Sequence, residues 1–213
     1  MLNLIAILVL SYLAGSIPTA IMASRLVLKD DIRHHGSKNA GATNVFRVMG
    51  WKPALVVVLI DIGKGVAAVL LVTQLGATPL SPVLLKIVAG LAAIIGHIFT
   101  VFAGFRGGKG VGTAFGVLIS LAPTASLITF AVWLALVLVT RIVSVGSVAA
   151  GIVFPVTLFV QHSFSDAGPA TELLCFGVVL GLLILLTHRS NIGRLLRGEE
   201  NRFGSKKKSS STD

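Results

Sequence analysis

Three stretches of the sequence combine positive charge with glycine and small hydrogen-bonding side chains. The first runs from Arg33 to Arg47 and contains Gly36, Ser37, Lys38, Asn39, Gly41, Thr43 and Asn44. Gly36 and Gly41 let the backbone come close to a ligand, and successive N–H groups in such a turn form a nest for an anion. Ser37, Asn39, Thr43 and Asn44 add neutral hydrogen bonds, and Arg47 suits bidentate contact with a phosphate. The second stretch, Gly104 to Thr113, sets Lys109 among Gly107, Gly108 and Gly110. A helix expected to open at Thr113 would add its N-terminal dipole to the Lys109 ammonium. This is not a nucleotide-hydrolysis loop of the Walker type. That motif needs a Gly separated by four residues from the Gly-Lys pair and a hydroxyl after it, and those positions hold Ala103 and Gly110. The third stretch runs from His188 to Asn201. On a helix His188 and Asn191 share a face, and Arg194 extends it at the next i+3 step. An interfacial helix on anionic lipid would account for the arginines but not for His188 or Asn191. The common chemistry is phosphate binding.

What must position these loops is a membrane bundle. Mean hydropathy is +0.93, with 54% hydrophobic and 12% charged residues, against about 25% charged in a soluble domain. The formal charge of +10 flanks apolar runs and is not interleaved with exposed aromatics, so anionic headgroups and small anionic substrates are expected as partners and nucleic acid is not. Apolar runs fall near 2–24, 54–75, 83–103, 113–140, 143–160 and 172–187. Six crossings with the N-terminus outside would leave Arg141 and the basic tail outside, against the positive-inside tendency. Pro123 resolves this by splitting 113–140 into two helices, near 113–121 and 124–140, the first well under the ~20 residues of a full crossing. The expected fold is all-α: a polytopic integral-membrane bundle of seven transmembrane segments, some short or broken, with the C-terminus cytoplasmic. It forms one membrane domain over residues 1–200, followed by a basic, Ser-rich disordered tail over 201–213. Asp61 and Lys64 lie inside a span, where ionisable groups are costly, and are expected either to pair at i, i+3 spacing or to face a substrate. The single cysteine, Cys175, reads as a small buried hydrophobe. The eight carboxylates are scattered, so no metal site is expected.

Several further motifs complete the pattern: Gly15-Ser16-Ile17-Pro18, Asp61 with Lys64-Gly65, Gly96-His97-Ile98-Phe99, and Arg141-Ile142-Val143-Ser144. Together with the three basic stretches, in this order and over nearly the whole chain, they resemble the bacterial acyl-phosphate:glycerol-3-phosphate acyltransferases. Lys38, Thr100, Arg106 and Gly112 depart from the family's usual Gly, Pro, Lys and Ala, and none of these changes removes a charged donor. The resemblance implies transfer of a fatty acyl group from acyl phosphate to the 1-hydroxyl of glycerol 3-phosphate, giving lysophosphatidic acid and phosphate. It implies no cofactor and no metal, and a bacterial cytoplasmic (inner) membrane with the active-site loops on the cytoplasmic face. The first loop, with Gly36, Ser37, Asn39, Gly41, Thr43 and Asn44, is then the candidate acyl-phosphate cradle. Arg47, Lys109, Ser144, His188 and Asn191 are candidates for the glycerol 3-phosphate side, with His97, Gly107, Gly108, Gly110 and Arg194 as further binding residues. Among the histidines in these motifs, His97 and His188 are the two that could act as a base, and a substrate phosphate oxygen is the alternative proton acceptor. A transporter of a small phosphorylated anion is the main rival. It would want polar residues through the span centres rather than donors gathered on one face.

Overall fold

A computed structural model describes residues 1–164 and 168–203. The basic tail from 204 to 213 lies outside the described residues. Those described form ten α-helices with short 3₁₀ turns and no strand: α1 Leu2–Ser16, α2 Thr19–Val27, α3 Ala42–Met49, α4 Trp51–Leu70, α5 Pro82–Ile98, α6 Val111–Leu121, α7 Pro123–Thr140, α8 Val143–Phe164, α9 Thr171–Thr187 and α10 Arg189–Leu196.

The breaks follow the sequence. The first apolar run is not one helix, because Pro18 carries no N–H and Ile17 before it is extended at φ −57°, ψ 115°. Pro123 does the same between α6 and α7, where Ala122 sits at φ −143°, ψ 73°. Gly50, at φ 85°, turns the chain from α3 into α4. Ser81 caps α5 by accepting the Leu84 N–H at 3.2 Å.

Five helical stretches are long and apolar enough to cross a membrane: Leu2–Val27, Trp51–Gln74, Pro82–Ala103, Pro123–Thr140 and Val143–Phe164. A sixth is the pair α9 and α10, bent by 61°. The remaining apolar segment, α6, has 11 residues. It rises only about 17 Å, roughly half of a hydrocarbon core, so length and composition license five or six full crossings, with α6 as a half-length helix held by protein. Two close crossings hold it and its neighbours. Gly65 of α4 lies against the Thr113 carbonyl and Gly116 of α6 against that of Ile62, while Gly15 of α1 meets Ala93 and Gly96 of α5 meets Tyr12. In each case a Cβ would run into backbone, the small-residue contact by which helices approach in lipid.

The interior is a cluster that includes Val69, Ile94, Val117, Phe154, Leu158 and Leu180, while Leu138, Val139, Phe159 and Phe164 face outward for lipid. Cys175, expected to be buried, is exposed: Leu173 and Phe176 take the inward face of α9, and the intervening register points away from it. The first basic loop is also more ordered than its composition suggested, since residues 42–49 form α3.

Candidate active site

α3, α4, α6, α7, α8, α9 and α10 surround one cavity of about 830 Å³. Its rim carries Ser37, Asn39, Gly41, Thr43, Arg47, Lys109, Gly110, Ser144, His188, Asn191, Arg194 and Glu200; the rest of its lining is mainly apolar, with Phe115, Leu118, Phe130, Phe154 and Leu180, and also includes Asp61 and His97. The three basic stretches, far apart in sequence, therefore meet at one opening.

A connected polar network organises the rim. The Lys109 ammonium donates to Asn191 Oδ1. Asn191 Nδ2 donates to Glu200 Oε1 at 2.8 Å, and Arg194 Nε donates to Glu200 Oε2 at 2.7 Å. Glu200 is buried, so this carboxylate aligns two donors that sequence reasoning had aimed at a substrate. Glu200 was missed as a site residue. The available signal was its position, an acid a few residues beyond the arginine-rich helix α10 in a chain with only eight carboxylates.

Burial pushes the Lys109 pKa down to about 8; Glu200 pulls it back up, while Arg194 and Arg47 push it further down. Arg47 is likewise lowered from its ordinary value by burial, against the pull of Glu200. Its Nη2 donates to the Asn201 carbonyl at 3.4 Å, whereas its Nε is buried and has no protein acceptor among the described residues. The Ser144 hydroxyl is in the same condition. Buried polar atoms left without partners beside a cavity are places for a ligand. His188 Nδ1 lies 2.9 Å from the Ile184 carbonyl. A carbonyl only accepts, so Nδ1 carries the hydrogen and Nε2 of the neutral ring is the acceptor. Phe203 closes one side of the mouth: its ring meets Phe46 at 4.9 Å, the Arg47 guanidinium sits 6.0 Å from its centre, and its N–H donates to the Arg141 carbonyl at 2.8 Å.

Other expected binders have a different placement. Asn44 is saturated. Its Nδ2 faces the carbonyls of Ile32, His35 and Asn39 at 3.0–3.1 Å, and its Oδ1 accepts the Ser37 N–H at 2.8 Å, so it shapes the loop and has no donor left for a ligand. Gly36 is off the rim, in left-handed backbone at φ +58°, where a Cβ would strike the Asn44 amide. The amides of Gly107 and Gly108 donate to the carbonyls of Ile98 at 2.9 Å and His97 at 3.1 Å. They strap the loop to the end of α5 and do not open as a nest. His97 lines the cavity, but its Nδ1 is turned to buried charges, 3.4 Å from Lys64 Nζ and 3.6 Å from Asp61 Oδ1. Asp61 and Lys64 do pair, at 2.7 Å. Asn39 and Gly41 contribute carbonyls to the loop and to α3. The anion-attracting feature of this loop is the N-terminus of α3 at Ala42 and Thr43, both on the cavity wall: the Asn44 and Val45 amides already donate to the Gly41 carbonyl, and those of Ala42 and Thr43 precede the intrahelical ladder. Gly110, at φ +81°, turns the chain into α6, which opens at Val111, two residues earlier than expected.

A helical membrane bundle with a cationic rim over an apolar cavity is the architecture of an enzyme that works at the lipid boundary on phosphorylated molecules. The chain belongs to the glycerol-3-phosphate acyltransferase family, whose profile matches residues 5–198. Curated relatives called glycerol-3-phosphate acyltransferase include those of Chlorobaculum tepidum, 46% identical over 97% of this chain and 100% of theirs, and Chlorobium luteolum, 46% identical over 95% and 97%. Two crystal structures of PlsY (YgiH), an integral membrane glycerol 3-phosphate acyltransferase, share the fold. The glycerol 3-phosphate form is 38% identical with a TM-score of 0.81, covering 94% of this chain and 96% of that one. The lysophosphatidic acid form is 37% identical with a TM-score of 0.80, covering 94% and 95%.

Proposed function

We propose that the protein transfers a fatty acyl group from acyl phosphate to the 1-hydroxyl of glycerol 3-phosphate, giving lysophosphatidic acid and inorganic phosphate. The observation that carries this reading is the cavity itself, which joins a rim holding Arg47, Lys109 and Arg194 to a mainly apolar interior. A phosphate at the rim and an acyl chain inside then belong to one molecule. The amides of Ala42 and Thr43 at the start of α3, with Ser37 and Asn39, suit the donor's phosphate. Arg47, Lys109, Ser144, His188, Asn191 and Arg194 suit glycerol 3-phosphate.

Acyl phosphate is a mixed anhydride with a good leaving group, so no protein nucleophile is required. The task is to hold two mutually repelling phosphates side by side in a water-poor, cationic place, which is catalysis by orientation and electrostatics. The glycerol oxygen bonds to the carbonyl carbon, the bond from that carbon to the phosphate oxygen breaks, and inorganic phosphate leaves with the hydroxyl proton. His188 Nε2 accepts a substrate hydroxyl and orients it. In this reading the rim faces the bacterial cytoplasm, the N-terminus lies outside, and the membrane is the inner one. Purified protein in detergent, given acyl phosphate and glycerol 3-phosphate, should form lysophosphatidic acid. Failure to do so, with phosphate-anion flux in liposomes instead, would favour a transporter. Turnover as fast with acyl-CoA as sole donor would refute the choice of donor.

A further inference from the structure

Three ionisable side chains are buried within the spans and are not used by the reaction proposed above: Asp61, Lys64 and His97, at 3%, 5% and 7% exposure. Such groups are expensive in a membrane and persist where they do a specific job. Their contacts reach four parts of the chain. Asp61 Oδ1 accepts from Lys64 at 2.7 Å and from the Thr19 hydroxyl at 2.6 Å. Lys64 also donates to the Ile17 carbonyl at 2.9 Å. The α4 ion pair is thus bonded to both sides of the Pro18 break between α1 and α2. His97 extends the cluster to α5, and two more bonds run beside it: Ser16 Oγ donates to the Gly96 carbonyl at 3.2 Å, and the Thr100 hydroxyl donates to the Ser16 carbonyl.

His97 faces two ways. Its Nδ1 meets the ion pair, while its carbonyl accepts the Gly108 N–H, the residue directly before Lys109. A Cβ on Gly108 would collide with the Nε2 edge of the His97 ring and lie 2.8 Å from the Ala40 carbonyl of the first basic loop. The imidazole therefore backs the point where the two phosphate-facing loops touch.

Resting on the acyltransferase reading, we infer that Thr19, Asp61, Lys64 and His97 are positioning residues: they lock the helix break to the end of α5, and through His97 they set the Gly108-Lys109 strap against the rim. They act through Lys109 and do not touch substrate.

A double-mutant cycle on the full-length protein in detergent tests this, because a residue that works through Lys109 is redundant once Lys109 is gone. His97→Ala should lower kcat/KM for glycerol 3-phosphate about tenfold, the scale of a sub-ångström misplacement. His97→Asn, whose amide nitrogen stands near the position of Nδ1, should recover part of that loss. In a Lys109→Ala background, His97→Ala should add less than about twofold. Independent, multiplicative losses would mean that His97 meets the substrate itself and would overturn the inference, as would wild-type kinetics for His97→Ala. Should His97→Ala not yield folded protein, Asp61→Asn combined with Lys64→Gln removes both charges together and enters the same cycle. Redundancy with Lys109→Ala supports the positioning role, and multiplicative losses refute it. Wild-type kinetics for Lys109→Ala alone would instead defeat the proposed phosphate site, a separate and recognisable result.

Discussion

Lys109→Ala is the sharpest test of the rim as a phosphate site. The ammonium is half-buried, bonded to Asn191, and shares its surroundings with Arg47, Arg194 and Glu200. Removing it deletes one charge-assisted contact to a phosphate, worth about 1.5–3 kcal/mol, which is about 10- to 150-fold in kcat/KM for glycerol 3-phosphate. Folding should survive, because Glu200 keeps its bonds from Asn191 Nδ2 and Arg194. The pH dependence adds a second signature. With the Lys109 pKa at about 8, the charged form that binds phosphate is present below that pH, so kcat/KM should fall as pH rises through it. Stability should run the other way. The folded value lies below the ordinary 10.5, so between about 8 and 10.5 the unfolded chain binds more protons, and this group makes unfolding harder as pH rises. The assay is lysophosphatidic acid formation against glycerol 3-phosphate concentration from pH 6 to 9.5, with thermal unfolding in parallel. A folded Lys109→Ala variant with wild-type kcat/KM, or one that retains the alkaline fall in activity, would refute the reasoning.

Asn44→Ala should destabilise the protein by about 2–4 kcal/mol, since it removes a side chain that satisfies three carbonyls and one amide; a thermal midpoint within a degree of wild type would contradict its structural role. Glu200→Gln should cost about 2–3 kcal/mol, less than a fully enclosed pair because Arg194 is about a third exposed, and should raise the KM for glycerol 3-phosphate as Asn191 and Arg194 lose their alignment; unchanged KM and stability together would count against it. Ser144→Ala should separate binding from folding: its buried hydroxyl has no protein partner among the described residues, so stability should stay within about 0.5 kcal/mol while the KM for glycerol 3-phosphate rises severalfold. A cysteine introduced at Leu196 should be labelled from the cytoplasmic side only, and labelling from outside intact cells would reverse the proposed orientation.

Much of this architecture is legible in the chain because lipid imposes simple rules. Apolar length gives spans, proline gives breaks, and lysine and arginine gather at one side. The same regularity hid several features. The Pro18 break was written in the sequence as plainly as the Pro123 break, yet the apolar run across it reads as a continuous crossing, because hydropathy registers lipid preference and not hydrogen-bond continuity. Asn44 and Gly36 look like ligand donors by residue type. Residue type does not say whether a donor is already spent, and in a membrane protein the loop backbone consumes the nearest side chains first. Lys109, Asn191 and Arg194 were recognisable because each carries a group that a phosphate wants. Glu200 was not, because its role is toward these residues and has no phosphate chemistry of its own. A cationic site needs such a carboxylate: packing Arg47, Lys109 and Arg194 around one opening costs repulsion and desolvation that one buried acid partly offsets. In a basic site read from sequence, the acids just beyond the arginine-bearing helix, here Glu199 and Glu200 after α10, are therefore the place to look for the residue that aligns its donors.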